Sequence, residues 1–350
     1  MMANKRTPFF FFLLFFSLLS ACDKTNQSST RSTAEATLSS WPYEKNRTYI
    51  AEGKAMKGTV QYAIISAIGW LDQQTVLLDR TETDSSGQYR LSIPEDYLGP
   101  IEFQLTTTPN KTKAKCDHPS GCGTTANSTE DFNQNGRIDF GEFYLLPSNF
   151  KMSALWQGKS SASPEAVNVS LTPTSTLSAS ATKARMNPPN SSTILSENEK
   201  LTQAFGLSQN IIHINPADLT ALTATETQDK LITAFINASF LQFSSYENMG
   251  MLIEQSAKKY ANDRATVNTN SSKLLIELTQ QASLIAQSLN FQEQSAVLLS
   301  KKRDLENLNS TEPYSFSQEY TVSQALETTP PSFYTVETIQ TLDANHIARV

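Results

Sequence analysis

The chain has 350 residues, enough for two domains of ordinary size. Hydrophobic residues make up 39% and charged residues 18%, with a mean hydropathy of −0.35, which describes a polar globular protein and excludes a chain disordered throughout. The formal net charge is −6 and no run of basic residues stands out, so no nucleic-acid partner is expected.

The first predicted element is a secretory signal over residues 1–21. Lys5 and Arg6 form its positive end, and Phe9 to Leu19 is an apolar run of eleven residues broken only by Ser17. Eleven apolar residues are too few to span a bilayer of about 30 Å, so the segment reads as a processing signal rather than an anchor helix. Leu19-Ser20-Ala21-Cys22 resembles the lipobox of bacterial lipoproteins. That resemblance implies cleavage before Cys22, acylation of its thiol and of the new amino group, and attachment to a membrane through the acyl chains. The location implied is the bacterial cell envelope, facing the periplasm or the cell surface. The competing reading is an ordinary secretory site followed by a chance cysteine. Asp23 resembles the signal that retains lipoproteins in the inner membrane of enteric bacteria, but Lys24 is not its usual companion. Inner and outer membrane both stay open. Loss of Lys5 and Arg6 leaves 26 basic residues against 34 acidic ones, a net charge of −8.

Residues 22–56 are read as the lipidated cysteine and a flexible tether. The Ser/Thr/Asn-rich part, 23–40, has no apolar period and cannot build a core. Its end-to-end distance as a flexible coil is about 25 Å.

From residue 57 the period approaches two. Val60, Tyr62, Ile64 and Ser66 alternate, Thr75 to Leu78 follows, and Asp84-Ser85-Ser86-Gly87 marks a turn. Tyr89, Leu91 and Ile93 alternate next, then Ile101, Phe103 and Leu105. Short strands at this spacing predict a β-sandwich over 57–171, with Phe143 to Leu146, Ser153 to Trp156 and Val167 to Leu171 as its last strands and 157–166 as a small-residue connection. The stretch Thr83-Asp84-x-x-Gly87-x-Tyr89 resembles the hairpin of the carboxypeptidase regulatory-like domain, a prealbumin-type sandwich. The resemblance covers about fifty residues and implies a scaffold with no catalysis of its own. Asp84 would cap the bend, Gly87 would take the positive φ, and Tyr89 would enter the core.

Cys116 and Cys122, with five residues between them, are expected to be bridged in an oxidising compartment. A zinc pair is the alternative, but only His118 is near. Residues 131–142 then fit the EF-hand calcium loop at every defining position. Asp131, Asn133 and Asn135 would each supply one oxygen, Arg137 its carbonyl, Asp139 a water-mediated contact, and Glu142 both carboxylate oxygens. Gly136 falls where the loop must bend and Ile138 at the aliphatic position. The spacing matters because Ca²⁺ takes six to eight oxygens near about 2.4 Å, and alternate side chains of a twelve-residue loop can surround one point. The flanks depart from the family: Thr124 to Glu130 is a poor incoming helix, Pro147 cuts any exit helix short, and no second loop is present to pair with. This favours a lone calcium clip over an opening switch. The competing reading is a solvated polar turn with no ion.

After Leu171 the composition changes. Residues 172–194, rich in Thr, Ser, Pro and Asn, are read as a linker, and 195–309 as an all-α domain. Its predicted helices begin at a capping box, Ser196-x-x-Glu199, with a stop at Gly206, and at Thr225-x-x-Gln228. Met249 to Tyr260, the stripe Leu274, Leu275, Leu278, Ala282, Ile285 and Leu289, and Phe291 to Leu308 follow. This half resembles the C-terminal halves of some uncharacterised bacterial lipoproteins, which implies no activity. Residues 310–350 read as an irregular tail.

The fold class expected is therefore α+β, an N-terminal β-sandwich followed by a helical domain. His118, His213 and His346 stand in no catalytic motif, and no nucleophile elbow, zinc-protease signature or phosphate loop is present. The function expected is a lipid-anchored envelope protein with a non-catalytic binding or structural role toward a protein or glycan partner. The alternative is an envelope hydrolase or an accessory subunit of one.

Overall fold

A computed structural model describes residues 38–42, 47–124, 131–159, 166–243, 249–265 and 270–310. The segment expected as a signal, Cys22, the expected tether up to residue 37, His346 and everything beyond residue 310 lie outside the described residues.

The architecture is mixed, with a strand-rich N-terminal half and a helical C-terminal half. The strands are β1 (Ser39–Ser40), β2 (Thr48–Lys54), β3 (Val60–Gln61), β4 (Ile64–Leu71), β5 (Gln74–Glu82), β6 (Gln88–Pro94), β7 (Ile101–Thr106), β8 (Lys113–Lys115), β9 (Gly123–Thr124), β10 (Arg137–Ile138), β11 (Phe143–Leu145), β12 (Lys151–Trp156) and β13 (Ala166–Asn168). They form a five-stranded sheet in the order β1-β5-β4-β7-β12, two three-stranded sheets, β13-β2-β6 and β11-β8-β3, and the short pair β10-β9. β4 is central in the largest sheet, flanked by β5 and β7, and most of its residues are buried on both faces. β6 instead alternates, with Tyr89, Leu91 and Ile93 inward and Gln88, Arg90 and Ser92 outward, as a half-covered strand must.

Three features of the strands differ from the sequence reading. β2 lies inside the stretch expected as tether and pairs with both β6 and β13. Its inward positions are Tyr49, Ala51 and Gly53, and the last two are too small to give a hydrophobic signal. Gly53 is small for a reason: a Cβ there would sit 1.9 Å from the Val169 carbonyl oxygen. The strand expected through Val60 to Ser66 breaks at Tyr62, which adopts φ 58°, so β3 and β4 belong to different sheets. The turn at 84–87 is built as expected, with Asp84 Oδ1 accepting the Ser86 and Gln88 amides at 2.8 and 2.9 Å and Gly87 at φ 74°. However, it carries the chain between sheets, because β5 pairs with β4 and β1 while β6 pairs with β2. Tyr89 enters the core, and its hydroxyl donates to the Val169 carbonyl.

The helices are α1 (Pro173–Arg185), α2 (Ser191–Ala204), α3 (Gln228–Ser239), α4 (Met249–Ala265), α5 (Asn270–Ser288) and α6 (Gln292–Ser310). α1 occupies the expected linker. Thr172 and Ser175 form a reciprocal capping box and Pro173 takes the first turn, where a missing N–H costs nothing. Its Ser, Thr and Ala side chains are a packing surface. They let the helix approach β12 and α4 closely, and their hydroxyls are satisfied locally: Thr182 Oγ1 donates to the Ser178 carbonyl and Ser175 Oγ to the Ser153 carbonyl. α2 starts five residues before the expected box, capped by Asn190 Oδ1 on the Thr193 amide at 2.8 Å, and Gly206 follows its end at φ 67°. α3 begins at Gln228, with Leu231, Phe235 and Ala238 buried. One apolar core runs from Tyr49 through Phe103, Leu177 and Phe235 to Leu305, and the described residues from Leu38 onward make one compact unit. The two expected domains therefore share a single core.

Candidate calcium loop and its disulfide support

The loop 131–142 is shaped by its own short polar side chains. Asp131 Oδ1 accepts the Asn135 amide at 3.2 Å and its Oδ2 the Gly136 amide at 3.1 Å. Asn133 Oδ1 accepts the Asn135 amide at 3.1 Å, and Asn135 Oδ1 the Arg137 amide at 2.8 Å. These bonds pull successive amides inward and close the turn that Gly136, at φ 76°, makes possible. Glu142 reaches back from the end of the loop to its beginning. Its Oε1 accepts the Phe132 amide at 3.0 Å and its Oε2 the Asp139 amide at 2.8 Å, and the residue is buried. The Asn133 and Asn135 carboxamides donate to Asp139 Oδ2 at 2.6 and 2.7 Å. Those two bonds, with the Arg137 charge, hold the Asp139 carboxyl below the usual carboxylate range. All five side chains expected as ligands thus belong to one hydrogen-bonded ring, together with the backbone of Arg137.

The donor set is oxygen-only and hard, which suits Ca²⁺. Each oxygen that accepts one N–H keeps a further lone pair for a cation. Among the described residues, no three His, Cys, Asp or Glu side chains converge closely enough to hold a metal ion by themselves. A site here therefore depends on the oxygens of Asn133, Asn135 and the Arg137 carbonyl as well as on the acids, and the two carboxamides must present oxygen instead of nitrogen to the centre.

The surroundings of the loop are set by strands. Residues 125–130, most of the stretch that reads as a poor incoming helix, lie outside the described residues. On the exit side β11 runs antiparallel to β8, with Tyr144 buried. Ile138 is buried in the core and lies in β10, which pairs with β9 directly after Cys122. The sulfurs of Cys116 and Cys122 are 2.08 Å apart, at bonding distance, and both residues are buried. The Cys122 amide donates to the Ile138 carbonyl at 2.7 Å, the Cys116 amide to the Glu142 carbonyl at 2.8 Å, and the Gly141 amide to the Cys116 carbonyl at 2.9 Å. His118 Nδ1 accepts the Ser120 amide at 3.2 Å, inside the same small loop.

Two charged features had no sequence signal. Lys57, with no exposed surface, places Nζ 2.6 Å from Asp117 Oδ1, and the Gly58 amide donates to Asp117 Oδ2 at 2.7 Å. Gly58 itself tolerates no side chain, since a Cβ would lie 1.7 Å from the Lys115 carbonyl oxygen. Nearby, Asp218 Oδ2 accepts Lys115 Nζ at 3.0 Å and Thr59 Oγ1 at 3.2 Å, while its Oδ1 accepts Thr220 Oγ1 at 2.6 Å. Burial pushes the Asp218 carboxyl up, but the bonds from Thr220 and Lys115 outweigh it and hold it below its ordinary value. A water-sized cavity opens between Gly58, Asp117, Asp218 and Asn237, and Asn237 Nδ2 has no hydrogen-bond partner among the described residues. His213 Nδ1 lies 2.6 Å from the Asn168 carbonyl oxygen, where it fastens β13 to the turn at Ile211–His213.

No family model matches the chain, and no curated protein matches it. Among solved structures, a 9R-lipoxygenase from Cyanothece PCC8801 aligns at 8% identity over 38% of this chain and 17% of its own length, with a TM-score of 0.21. The chain thus spans under a fifth of that protein, and a likeness this slight carries no argument about fold or function.

Proposed function

We propose that this is a lipid-anchored protein of the bacterial envelope whose strand-rich half, read as a prealbumin-type β-sandwich, is stabilised by one Ca²⁺ in the loop 131–142. Its role is non-catalytic: it binds or supports a protein or glycan partner near the membrane that Cys22 anchors it to. The observation that carries the calcium part is the agreement of two independent patterns. The twelve-residue spacing supplies the oxygens, and Glu142 is already drawn back across the loop by the Phe132 and Asp139 amides. The absence of flanking helix on the exit side, where β11 follows at once, favours a clip that orders the loop over a switch that opens. Affinity belongs in the range of extracellular modules, Kd roughly 10⁻⁴ to 10⁻³ M, because only three of the ligands are acids.

The anchor is tested by detergent phase partition of the wild type and Cys22→Ser. Wild type enters the detergent phase, and the variant stays in the aqueous phase or remains as an uncleaved precursor. Equal partition with normal cleavage in both contradicts the anchor. The binding role is tested by crosslinking on intact membranes followed by recovery of the mature protein. One reproducible partner at stoichiometric yield supports it, and recovery of the uncrosslinked chain alone counts against it.

A further inference from the structure

Two segments of the strand-rich half are joined by chemistry that the calcium reading alone does not require. The exit half of the loop, which carries the Arg137 carbonyl, Asp139 and Glu142, is held at two points. Ile138 is held by the Cys122 amide and by the β9–β10 pairing, and Gly141 and Glu142 are held by the backbone of Cys116. The disulfide joins those two holding points to each other. Asp117, the residue after Cys116, is in turn fixed to the core by Lys57 and the Gly58 amide. Ile138 is thus paired by β9, directly beyond the bridge, and not by a second loop of its own kind.

We propose that the disulfide loop 116–122 stands in for the missing partner loop, and that the Cys116–Cys122 bridge and calcium occupancy of 131–142 are thermodynamically linked. This rests on the calcium reading above. With the bridge closed, positions 138 and 142 keep their spacing, so the ion meets a prearranged exit half. With the bridge open, binding must also order the segment after Cys116. The coupling is reciprocal: whatever factor the bridge adds to calcium affinity, calcium adds to the stability of the bridge.

Reduction takes a dithiol. One reductant thiolate attacks a cysteine sulfur, breaks the Sγ–Sγ bond, forms a mixed disulfide and releases the other cysteine as thiolate. The second reductant thiol then displaces the remaining cysteine and closes into a cyclic disulfide, so two electrons and two protons pass to Cys116 and Cys122. Both cysteines are buried, so attack requires a local opening of the structure around them. Calcium, by ordering β10, opposes that opening.

The test uses the full mature chain in detergent and two readouts. Calorimetry measures the calcium Kd of the oxidised wild type and of Cys116→Ala/Cys122→Ala. Thiol alkylation and mass spectrometry measure the oxidised fraction of the wild type at equilibrium in mixtures of reduced and oxidised dithiothreitol, with no calcium, saturating calcium, or equal magnesium. The expected results are a Kd at least about tenfold weaker in the variant and an equilibrium constant for reduction at least about tenfold smaller with calcium only. A tenfold coupling corresponds to a lowering of the reduction potential by about 30 mV. In Glu142→Gln the protection by calcium should vanish. Equal Kd in wild type and a folded variant, or a redox equilibrium indifferent to calcium in a wild type that binds it, overturns the linkage alone. No binding by the oxidised wild type overturns the calcium reading and the linkage with it. The reduction assay needs no variant, so it decides the matter even if the double substitution does not fold.

Discussion

Removing Asp117 should be among the most damaging single changes in the strand-rich half. Its carboxylate is the partner of a Lys57 ammonium that has no exposed surface, at 2.6 Å, and it also accepts the Gly58 amide. Asp117→Ala leaves that ammonium buried without a counter-charge, which costs about 3–5 kcal/mol. The orphaned Gly58 amide adds about 1 kcal/mol. Lys57→Met removes the ammonium but leaves the carboxylate with the Gly58 amide alone. The double variant Lys57→Met/Asp117→Leu buries no charge and should recover much of the loss, so it should be more stable than Asp117→Ala by about 2 kcal/mol or more. Urea unfolding followed by circular dichroism, in a Cys22→Ser background that keeps the chain out of membranes, gives all four stabilities. A cost for Asp117→Ala below about 1 kcal/mol, the figure for an exposed pair, would show that Lys57 reaches water and would refute the reasoning.

Asp218 is held below the usual carboxylate range, so its contribution is present above an ordinary carboxylate pKa of about 4 and is lost as pH falls through its lower folded value. Asp218→Asn should therefore cost about 1 kcal/mol at pH 7 and flatten the acid limb of stability below about pH 4, measured by urea midpoints from pH 7 to pH 2. Phe235, buried and 5.5 Å from the Phe291 ring, should cost about 3–5 kcal/mol as Phe235→Ala. Because the core is continuous, tryptophan fluorescence, to which Trp156 inside it and Trp41 packed against it contribute, and helical ellipticity should lose stability together, and a fluorescence transition left in place would contradict the shared core. Thr172→Ala removes the cap of α1 and should cost about 1 kcal/mol by the same urea assay.

The sequence made legible what side-chain pattern alone specifies. β6, β7 and the Asp84–Gly87 turn were readable because alternation and a positive-φ glycine leave local marks. α5 was readable because its leucines keep helical spacing. β2 and α1 were not, for one physical reason: both bury small residues. Ala51 and Gly53 admit the Val169 backbone, and the Ser, Thr and Ala face of α1 admits β12 and α4, so close packing there looks like a polar linker on paper. The polar side chains that close the loop were readable to the residue, since an oxygen at each alternate position is a pattern within twelve residues. Its support was not. β9 is two residues long and pairs with β10, and the Lys57–Asp117 pair that fixes the start of the disulfide loop joins residues sixty positions apart.

The measurement that bears most directly on the central claim is a thermal melt of the mature chain with and without calcium. Ion binding to the folded state stabilises by RT ln(1 + [L]/Kd), about 1.4 kcal/mol at calcium ten times Kd. In a single cooperative unit of this size that is an upward shift of about 3 °C, carried by strands and helices together. Magnesium, which demands tighter octahedral geometry, should give much less. Glu142→Gln should abolish the shift. A wild-type melt that ignores calcium, with no binding heat up to several times about 10⁻³ M, would contradict the account and return residues 131–142 to a polar turn closed by its own hydrogen bonds.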